Sequence, residues 1–394
     1  MSTLVIRNIG ELTTNDPSLG DESLLGRMHD AAMVIDDERV LWVGPSVLAP
    51  DADAMYDAEG AAVIPGFVDS HTHLVFAGER SDEFEARMAG ARYDGGGILR
   101  TVASTRAAST EELRSATAAR LRALRANGVT TVEIKSGYEL SVTGEARLLD
   151  LANEFSDEVT FLGAHTIPVE FTDDRDGYVA MVIDQMLSAC APKARWADVF
   201  CDEGAFSVHE SRTILLAARA RGLELRLHGN QLGDTGGVAL ALELDAASVD
   251  HCTYLSDEDV EWLSESNTVA TLLPGAEFST RAPYPSGRRL IDAGATVALA
   301  TDCNPGTSYV TSMPFVIALA VREMAMSPDE ALWSATRAGA RALRRDDVGH
   351  LGVGARADLV VLDAPRAAHL AYRPGASLVA QTMCAKRAGV SHAE

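Results

Sequence analysis

Residues 63–73 read VIPGFVDSHTH, a short apolar run that leads directly into two histidines. Side chains two positions apart on an extended backbone point to the same side, so His71 and His73 face one spot while Thr72 faces another. Imidazole nitrogens are common ligands of transition metals. We therefore expect a buried strand that delivers half of a metal site to the C-terminal rim of a parallel barrel.

The middle of the chain repeats this pattern of buried runs. From residue 63 to about residue 345, apolar runs alternate with segments of helical period, which is typical of parallel βα units. Strands are predicted at residues 63–73, 128–135, 159–165, 197–203, 223–228, 247–251, 268–273 and 296–302. Helices are predicted at residues 110–127, capped by Thr110 with Glu112, and at 143–156, 208–221, 234–244, 256–266 and 311–325. These units predict a (β/α)8 TIM-like barrel; a doubly wound open sheet is less favoured because the Gly-rich nucleotide fingerprint is missing.

The two ends of the chain have a different pattern of apolar and polar residues. Residues 1–62 alternate apolar and polar in short runs separated by turns, which predicts a small antiparallel sheet. A similar segment recurs at residues 349–363, and each part is too small to bury a core alone. We therefore expect a small β-sandwich domain built from residues 1–62 and 346–394, beside a barrel domain of residues 63–345. The long connection at residues 74–108 is predicted to be a lid or substrate loop.

Composition and charge limit the partners. The chain has 394 residues and a formal net charge of -23, which repels phosphate backbones and anionic headgroups, so no nucleic acid and no membrane is expected. No apolar run approaches the roughly 20 residues that span a bilayer, and a cytoplasmic location is predicted. Five dispersed cysteines predict no disulfide, and Cys201, Cys252 and Cys303 are expected to be buried fillers.

Polar residues stand at the ends of six predicted strands. In chain order these residues are His71 and His73, Lys135, His165, His228, His251 and Asp302. The carboxyl ends of barrel strands converge on one face, so these side chains are expected to meet there. Three neutral imidazoles and one carboxylate suit Zn²⁺ or Fe²⁺, whereas Ca²⁺ and Mg²⁺ favour oxygen. The sequence therefore predicts one Zn²⁺ or Fe ion per subunit, bound by His71, His73, His228 and Asp302.

This ligand set also indicates a reaction. Four protein ligands leave a position for a water molecule whose pKa the metal would lower, which is the chemistry of hydrolysis. Asp302 could accept the proton of that water, and His251 could orient the water or stabilise the oxyanion. For Lys135 there are two interpretations: a carbamate bridge between two metals, or a salt bridge or hydrogen bond, which we favour.

These residues and several further motifs resemble those of the amidohydrolase superfamily. The broad resemblance is carried by residues 65–73, His228, His251, 301–302 and 357–363. A closer resemblance is to the family of cyclic-amide hydrolases that act on 4-imidazolone-5-propanoate in histidine degradation. It extends over nearly the whole chain and is carried by the motifs at residues 76–84, 95–98, 133–138, 163–168 and 301–307.

The closer resemblance implies hydrolysis of 4-imidazolone-5-propanoate to N-formimidoyl-L-glutamate, with one Zn²⁺ or iron ion. It further implies that Arg80 binds the propionate carboxylate, a task that suits the guanidinium fork. The resemblance places Tyr138 and His165 against the imidazolone ring, and His165 joins Asp302 and His251 as a catalytic candidate. The remaining substrate-binding residues that it implies are Gln231, Asn304, Gly306 and Thr307.

Two departures from the family pattern bear on the chemistry. Some members carry glutamate where this chain has Gln231, and an amide cannot act as a base, so the proton acceptor is expected to be Asp302 or His251. The segment between Tyr93 and Gly95 is shorter than the usual spacing, which affects the geometry of the lid.

Two other functional readings are weighed against this one. One is a related deaminase or cyclic amidase with another substrate. The other is a catalytically inactive binding protein, which is disfavoured because all four metal ligands are present. By analogy with similar barrels, a homodimer is a possible assembly.

Overall fold

The computed structural model describes residues 2–91 and 97–385. The strands are β1 (Leu4–Thr13), β2 (Arg27–Ile35), β3 (Val40–Pro45), β4 (Ala54–Asp57), β5 (Ala62–Pro65), β6 (Phe67–Asp69), β7 (Val129–Lys135), β8 (Glu158–Ala164), β9 (Trp196–Cys201), β10 (Glu224–Gly229), β11 (Ser248–His251), β12 (Val269–Leu272), β13 (Val297–Leu299), β14 (Leu359–Leu362) and β15 (Val379–Met383). The α-helices are α1 (Ser81–Met88), α2 (Ile98–Ala107), α3 (Thr110–Ala126), α4 (Val142–Asn153), α5 (Arg175–Met181), α6 (Leu187–Cys190), α7 (Val208–Arg219), α8 (Gly237–Glu243), α9 (Asp257–Ser264), α10 (Pro274–Thr280), α11 (Gly287–Ala293), α12 (Met313–Glu323), α13 (Pro328–Trp333), α14 (Gly339–Ala342) and α15 (His369–Tyr372). Segments of π-helix lie at Val182–Met186 and Ser334–Ala338, and short 3₁₀ turns lie at Ser46–Leu48, Val169–Phe171 and Ala191–Lys193.

Strands β6 to β13 form an eight-stranded sheet in which each strand pairs in parallel with the next along the chain. The seam between β6 and β13 is joined just beyond both strands, where Thr72 pairs in parallel with Cys303. The backbone N–H of His73 donates to the carbonyl of Cys303 at 3.0 Å, and that of Asp302 donates to His71 at 3.1 Å. The predicted (β/α)8 barrel is therefore confirmed, and its closure brings the residues after the first and last barrel strands together.

The first predicted strand is divided between two sheets. Its first half, β5, pairs with β1 and β14 at the side of the barrel, and only β6 enters the barrel. Gly66 lies at the crossing, where a Cβ atom would stand 2.2 Å from Oγ1 of Thr130. The sequence pattern missed this division because both halves are buried and therefore equally apolar. His71 and His73 follow β6 directly, so the predicted delivery of both rings to the barrel rim is retained.

The chain ends share one seven-stranded sheet, in the order β15-β14-β5-β1-β2-β3, with β4 paired to β1. The predicted antiparallel pairing is confirmed for β1 with β2 and for β2 with β3, whereas β1 also pairs in parallel with β4 and β5, which was not predicted. The two ends do associate as expected, since β14 pairs antiparallel with β5. A domain division at residues 62 and 346 stays a prediction, because β5 continues directly into the barrel.

The segment at residues 74–108 contains two helices where we predicted a loop, while its predicted role as a lid or substrate segment stays a prediction. Helices α1 and α2 lie within it, and the polar sequence of α1 lacks the apolar stripe by which a helix is recognised. The predicted cap of α3 also shifts by one residue. Ser109, not Thr110, accepts the N–H of Glu112, and the Glu112 carboxylate accepts the N–H of Ser109, which together form a capping box.

The other predicted helices are present with bounds that differ by a few residues. Cys201, Cys252 and Cys303 are buried and unpaired, as expected. In the described ranges, no helix is both long and apolar enough to cross a membrane.

Candidate metal centre and active site

Three imidazoles and one carboxylate meet at the carboxyl ends of the barrel strands. The Nε2 atom of His73 lies 3.3 Å from the Nε2 atoms of both His71 and His228. Oδ1 of Asp302 lies 3.5 Å from His71 Nε2 and 3.6 Å from His73 Nε2. All four side chains are buried. The structure thus brings together the four residues that the sequence predicts as metal ligands.

The spacing of these donor atoms fits a single small cation. Zinc binds imidazole nitrogen at roughly 2.0–2.1 Å, so neighbouring donors around one ion lie about 3.3 Å apart in a tetrahedral site. His71, His73 and Asp302 form one close group of donors, and His71, His228 and His251 form another. Burial lowers the pKa of His71 and of His73 well below the usual value, which keeps the lone pairs free for a metal.

Carboxylates behind the cluster fix the orientation of two rings. Nδ1 of His71 lies 2.7 Å from Oδ2 of Asp250, and Nδ1 of His228 lies 2.9 Å from Oδ1 of Asp198. Each carboxylate accepts a hydrogen bond from the Nδ1–H group of its histidine. Each Nε2 therefore carries the lone pair and directs it to the shared centre. Sequence reasoning missed both aspartates because each lies inside a buried strand, although Asp250 directly precedes His251.

Lys135 lies beneath the cluster in a fully buried ion-pair network. Its Nζ atom is 2.9 Å from Glu133 Oε1, 2.9 Å from Asp198 Oδ2 and 4.0 Å from Asp250 Oδ2. Arg226 Nη2 also lies 3.4 Å from Asp250 Oδ2. Of the two interpretations of Lys135, this placement supports the salt bridge, since the ammonium contacts the carboxylates that hold His228 and His71.

A cavity with an empty volume of about 340 Å³ lies above the cluster, and we call it the substrate pocket. Its lining contains most of the predicted substrate-binding and catalytic residues: His73, Arg80, Tyr138, His165, His228, Gln231, His251, Asp302, Asn304 and Thr307. Ile98 and Phe200 complete the wall. Neither was predicted, because an apolar residue in a pocket has the same local pattern as one in the core. Tyr93 and Gly95, to which the shortened lid was assigned, lie outside the described residues.

Arg80 is held in one position at the wall of the substrate pocket. Its Nε and Nη2 atoms donate to the two carboxylate oxygens of Glu83 at 2.8 and 2.6 Å. A Cβ atom on Gly97 or Gly306 would lie 1.8 or 2.2 Å from the guanidinium nitrogens, so both glycines allow its close approach. Gly306 therefore contributes to the site by its lack of a side chain.

Two rings, those of Tyr138 and His165, form another part of the pocket wall. His165 stacks on His73 with ring centroids 5.3 Å apart and an interplanar angle of 21°. Tyr138 lies 5.2 Å from His165 between ring centroids. Nδ1 of His165 lies 3.0 Å from the carbonyl oxygen of Gly137, and burial lowers the pKa of His165 to about 3. The ring is therefore neutral near pH 7, with Nδ1–H donating to Gly137 and an acceptor at Nε2.

The loop after β13 holds the carboxylate of Asp302. Oδ1 of Asn304 accepts the backbone N–H groups of Gly306 and Thr307, both at 2.8 Å. Oγ1 of Thr307 donates to Asp302 Oδ2 at 3.2 Å, and Asn304 Nδ2 donates to the carbonyl of Asp302 at 2.7 Å. This turn leaves Oδ1 of Asp302 directed at the imidazole cluster while Oδ2 is hydrogen-bonded.

Gln231 and His251 also line the pocket. The backbone N–H of Gln231 donates to Asp202 Oδ2 at 2.6 Å, which fixes the loop after β10. His251 has a positive φ of 82°, an uncommon conformation for a residue with a side chain. Burial lowers its pKa well below the usual value, so this ring too is neutral.

Comparison with known proteins agrees with this fold and site. The sequence matches the profile of the Amidohydrolase family over residues 62–388. Among solved structures, a triazine hydrolase variant superposes with a TM-score of 0.75 at 16% identity, covering 97% of this chain and 93% of that one. A zinc-bound adenosine deaminase from Xanthomonas campestris superposes with a TM-score of 0.70 at 17% identity, covering 97% and 91%. The chain thus belongs to the amidohydrolase family, whose members are metal-dependent.

Closer relatives specify the branch of that family. The chain is 62% identical over 387 residues to the imidazolonepropionase of Salinispora arenicola, covering 97% of this chain and 98% of the relative. It is 61% identical over 385 residues to that of Mycolicibacterium smegmatis, covering 97% and 96%. Within the amidohydrolases, it is a member of the imidazolonepropionase family.

Proposed function

We propose that this chain hydrolyses 4-imidazolone-5-propanoate to N-formimidoyl-L-glutamate, the third step of histidine degradation. The observation that carries this proposal is a cluster of metal-ligating groups at the floor of a pocket whose wall contains a buried arginine. The cluster supplies the chemistry of amide hydrolysis, and the arginine supplies a partner for a carboxylate. The imidazolonepropionase relatives supply the same assignment over nearly the whole chain.

One Zn²⁺ or Fe ion per subunit would be held by His71, His73, His228 and Asp302. When bound, such an ion polarises the amide carbonyl and lowers the pKa of a water molecule. Asp302 is the proposed acceptor of the water proton, because it is the carboxylate among the residues that line the substrate pocket. Neutral His251 offers an N–H to the carbonyl oxygen as negative charge develops there.

The remaining polar residues of the pocket bind and orient the substrate. Arg80 receives the propionate, and the imidazolone ring lies against Tyr138 and His165. Gln231 hydrogen-bonds the ring as a neutral amide. His165 presents its Nε2 lone pair to a ring N–H, which keeps the scissile bond over the metal ligands.

An absorbance assay with freshly prepared imidazolone propionate, combined with elemental analysis of the purified protein, tests this function. We expect turnover together with about one Zn or Fe per chain. If the protein is folded and contains metal but does not turn over this substrate, the assignment is wrong. The alternatives are then another cyclic amide or a deaminase substrate. The homodimer, the cytoplasmic location and the lack of nucleic-acid or membrane partners stay predictions.

Replacing Arg80 by alanine is expected to raise KM for imidazolone propionate by about 100-fold, because charge-assisted hydrogen bonds contribute roughly 1.5–3 kcal/mol each. Steady-state kinetics measure the change. The matched control is Arg212→Ala, which removes an arginine whose side chain is 35% exposed and pairs with Glu243 on the surface. An unchanged KM in Arg80→Ala would show that the propionate binds elsewhere.

A further inference from the structure

A second cavity adjoins the substrate pocket, and we call it the vestibule. Its lining includes Arg87, Glu203, Gln231, Tyr254 and Glu277. Gln231 also lines the substrate pocket, so this side chain lies between the two cavities. Glu277 belongs to helix α10, which begins at Pro274 directly after strand β12, and its side chain is buried. The proposed reaction leaves this buried carboxylate without a role.

Within the described residues, only one of the two carboxylate oxygens of Glu277 is hydrogen-bonded. Oε1 accepts a hydrogen bond from Oγ1 of Thr253 at 2.7 Å. Oε2 is buried and has no hydrogen-bond partner among the residues that the structure describes. A buried oxygen without a partner costs roughly 1–3 kcal/mol, and more when it is charged. A buried oxygen of this kind is best explained by a ligand that donates a hydrogen bond to it.

Buried glutamates with a structural role are arranged differently in this protein. Both oxygens of Glu145 are satisfied by backbone N–H groups, from Gly137 on one side and from Glu139 and Leu140 on the other. Glu133 likewise uses both oxygens, which accept from Lys135 and from the N–H of Thr72. The open oxygen of Glu277 therefore distinguishes it from these two buried glutamates, which use both oxygens within the fold.

The proposed reaction produces a cationic group that would donate a hydrogen bond to this oxygen. Water adds its oxygen to the ring carbonyl carbon, the bond from that carbon to the ring nitrogen breaks, and one hydrogen of water ends on that nitrogen. The new carboxylic acid then releases its proton, and the amidine, which is the stronger base, takes it up. The product thus carries a formamidinium cation and a second carboxylate where the substrate carried a neutral ring.

We infer that Glu277 is the product-binding residue that receives the formamidinium end of N-formimidoyl-L-glutamate through its unpartnered oxygen, on the vestibule side of the boundary with the substrate pocket. This inference rests on the proposed function. The neutral amide of Gln231 lies beside the same boundary and provides no negative charge there. Residue 231 is therefore not a charged partner for the product. Glu277 supplies the carboxylate that binds the formamidinium group released from the ring.

A comparison of two ligands by calorimetric titration tests this role. N-formimidoyl-L-glutamate carries the cation, whereas N-formyl-L-glutamate has nearly the same shape and is neutral at that end. Glu277→Gln is expected to weaken binding of the formimidoyl ligand by about 10- to 100-fold, as for loss of a charge-assisted hydrogen bond, and to leave binding of the formyl ligand within about twofold. Glu203→Gln removes the same charge from an exposed position in the vestibule and should change neither.

The variant is suited to this test because burial raises the pKa of Glu277 to about 7, so a neutral group is readily accommodated there. Equal weakening of both ligands, or no weakening of either, would overturn the inference. Should Glu277→Gln fail to fold, Glu277→Asp keeps the charge but shortens the side chain, and it must reduce the preference for the formimidoyl ligand. Since binding is measured without turnover, an inactive wild type would reject the proposed function and leave this result interpretable.

Discussion

Asp302→Asn is expected to reduce kcat/KM for imidazolone propionate by about 10⁴-fold while the fold is retained. The substitution removes the negative charge of a residue proposed both as a metal ligand and as the proton acceptor, and general-base catalysis alone contributes about 10²- to 10⁴-fold. An asparagine has the same shape, and its side chain still reaches Oγ1 of Thr307, which now contacts Oδ2 of Asp302 at 3.2 Å. Kinetics, metal content and thermal unfolding should be measured on one preparation.

Asp292→Asn is the control for this experiment. Asp292 is exposed on helix α11, where it pairs with Arg288, and its replacement should leave kcat/KM within about twofold. If Asp302→Asn kept a tenth of the activity at full metal content, Asp302 would be neither an essential ligand nor the proton acceptor.

Lys135→Met is expected to lower both the free energy of unfolding and the metal content. The methionine leaves Glu133 and Asp198 as buried carboxylates without their ammonium partner, and breaking a buried ion pair on one side costs about 3–5 kcal/mol. Asp198 is then free to turn from His228, and loss of such a partner typically weakens metal binding by about 10- to 100-fold. Urea unfolding and titration with a competing chelator measure the two effects.

Lys193→Met provides the matched comparison. Lys193 pairs with Asp150 at the surface, where an ion pair contributes about 0–1 kcal/mol, and it lies away from the metal ligands. Equal effects of the two lysine substitutions on stability and on metal affinity would mean that the buried network does not support the metal centre.

Much of the site was predictable because barrel topology converts distant sequence positions into neighbours. His71, His228 and Asp302 were each recognisable as a polar residue at the end of an apolar run. The carboxyl ends of parallel barrel strands share one rim, so their proximity followed from the fold alone. Arg80 depended instead on the family resemblance, since a single arginine in a polar segment has no distinctive pattern.

The groups behind the proposed metal ligands could not be predicted in the same way. Asp198 on β9 contacts a ring nitrogen of His228 on the neighbouring strand β10, and this contact depends on strand register. Asp250 on β11 contacts His71, which follows the non-adjacent strand β6, and local sequence specifies neither contact. Parallel pairing of β1 with β4 and β5 was missed for a related reason, because alternation of apolar residues indicates a strand but not its partner. Glu277 was missed because its neighbours in sequence are apolar and its open oxygen is visible only in three dimensions.

The crossing at Gly66 gives the chain ends an influence on the chemistry. Strand β14, almost three hundred residues further along the chain, is hydrogen-bonded to Val63, Ile64 and Pro65, only a few positions before His71. The outer sheet therefore helps to fix the position of His71 and His73, the first two proposed metal ligands. Loss of the pairing between β14 and β5 is expected to weaken metal binding at these residues before it unfolds the barrel.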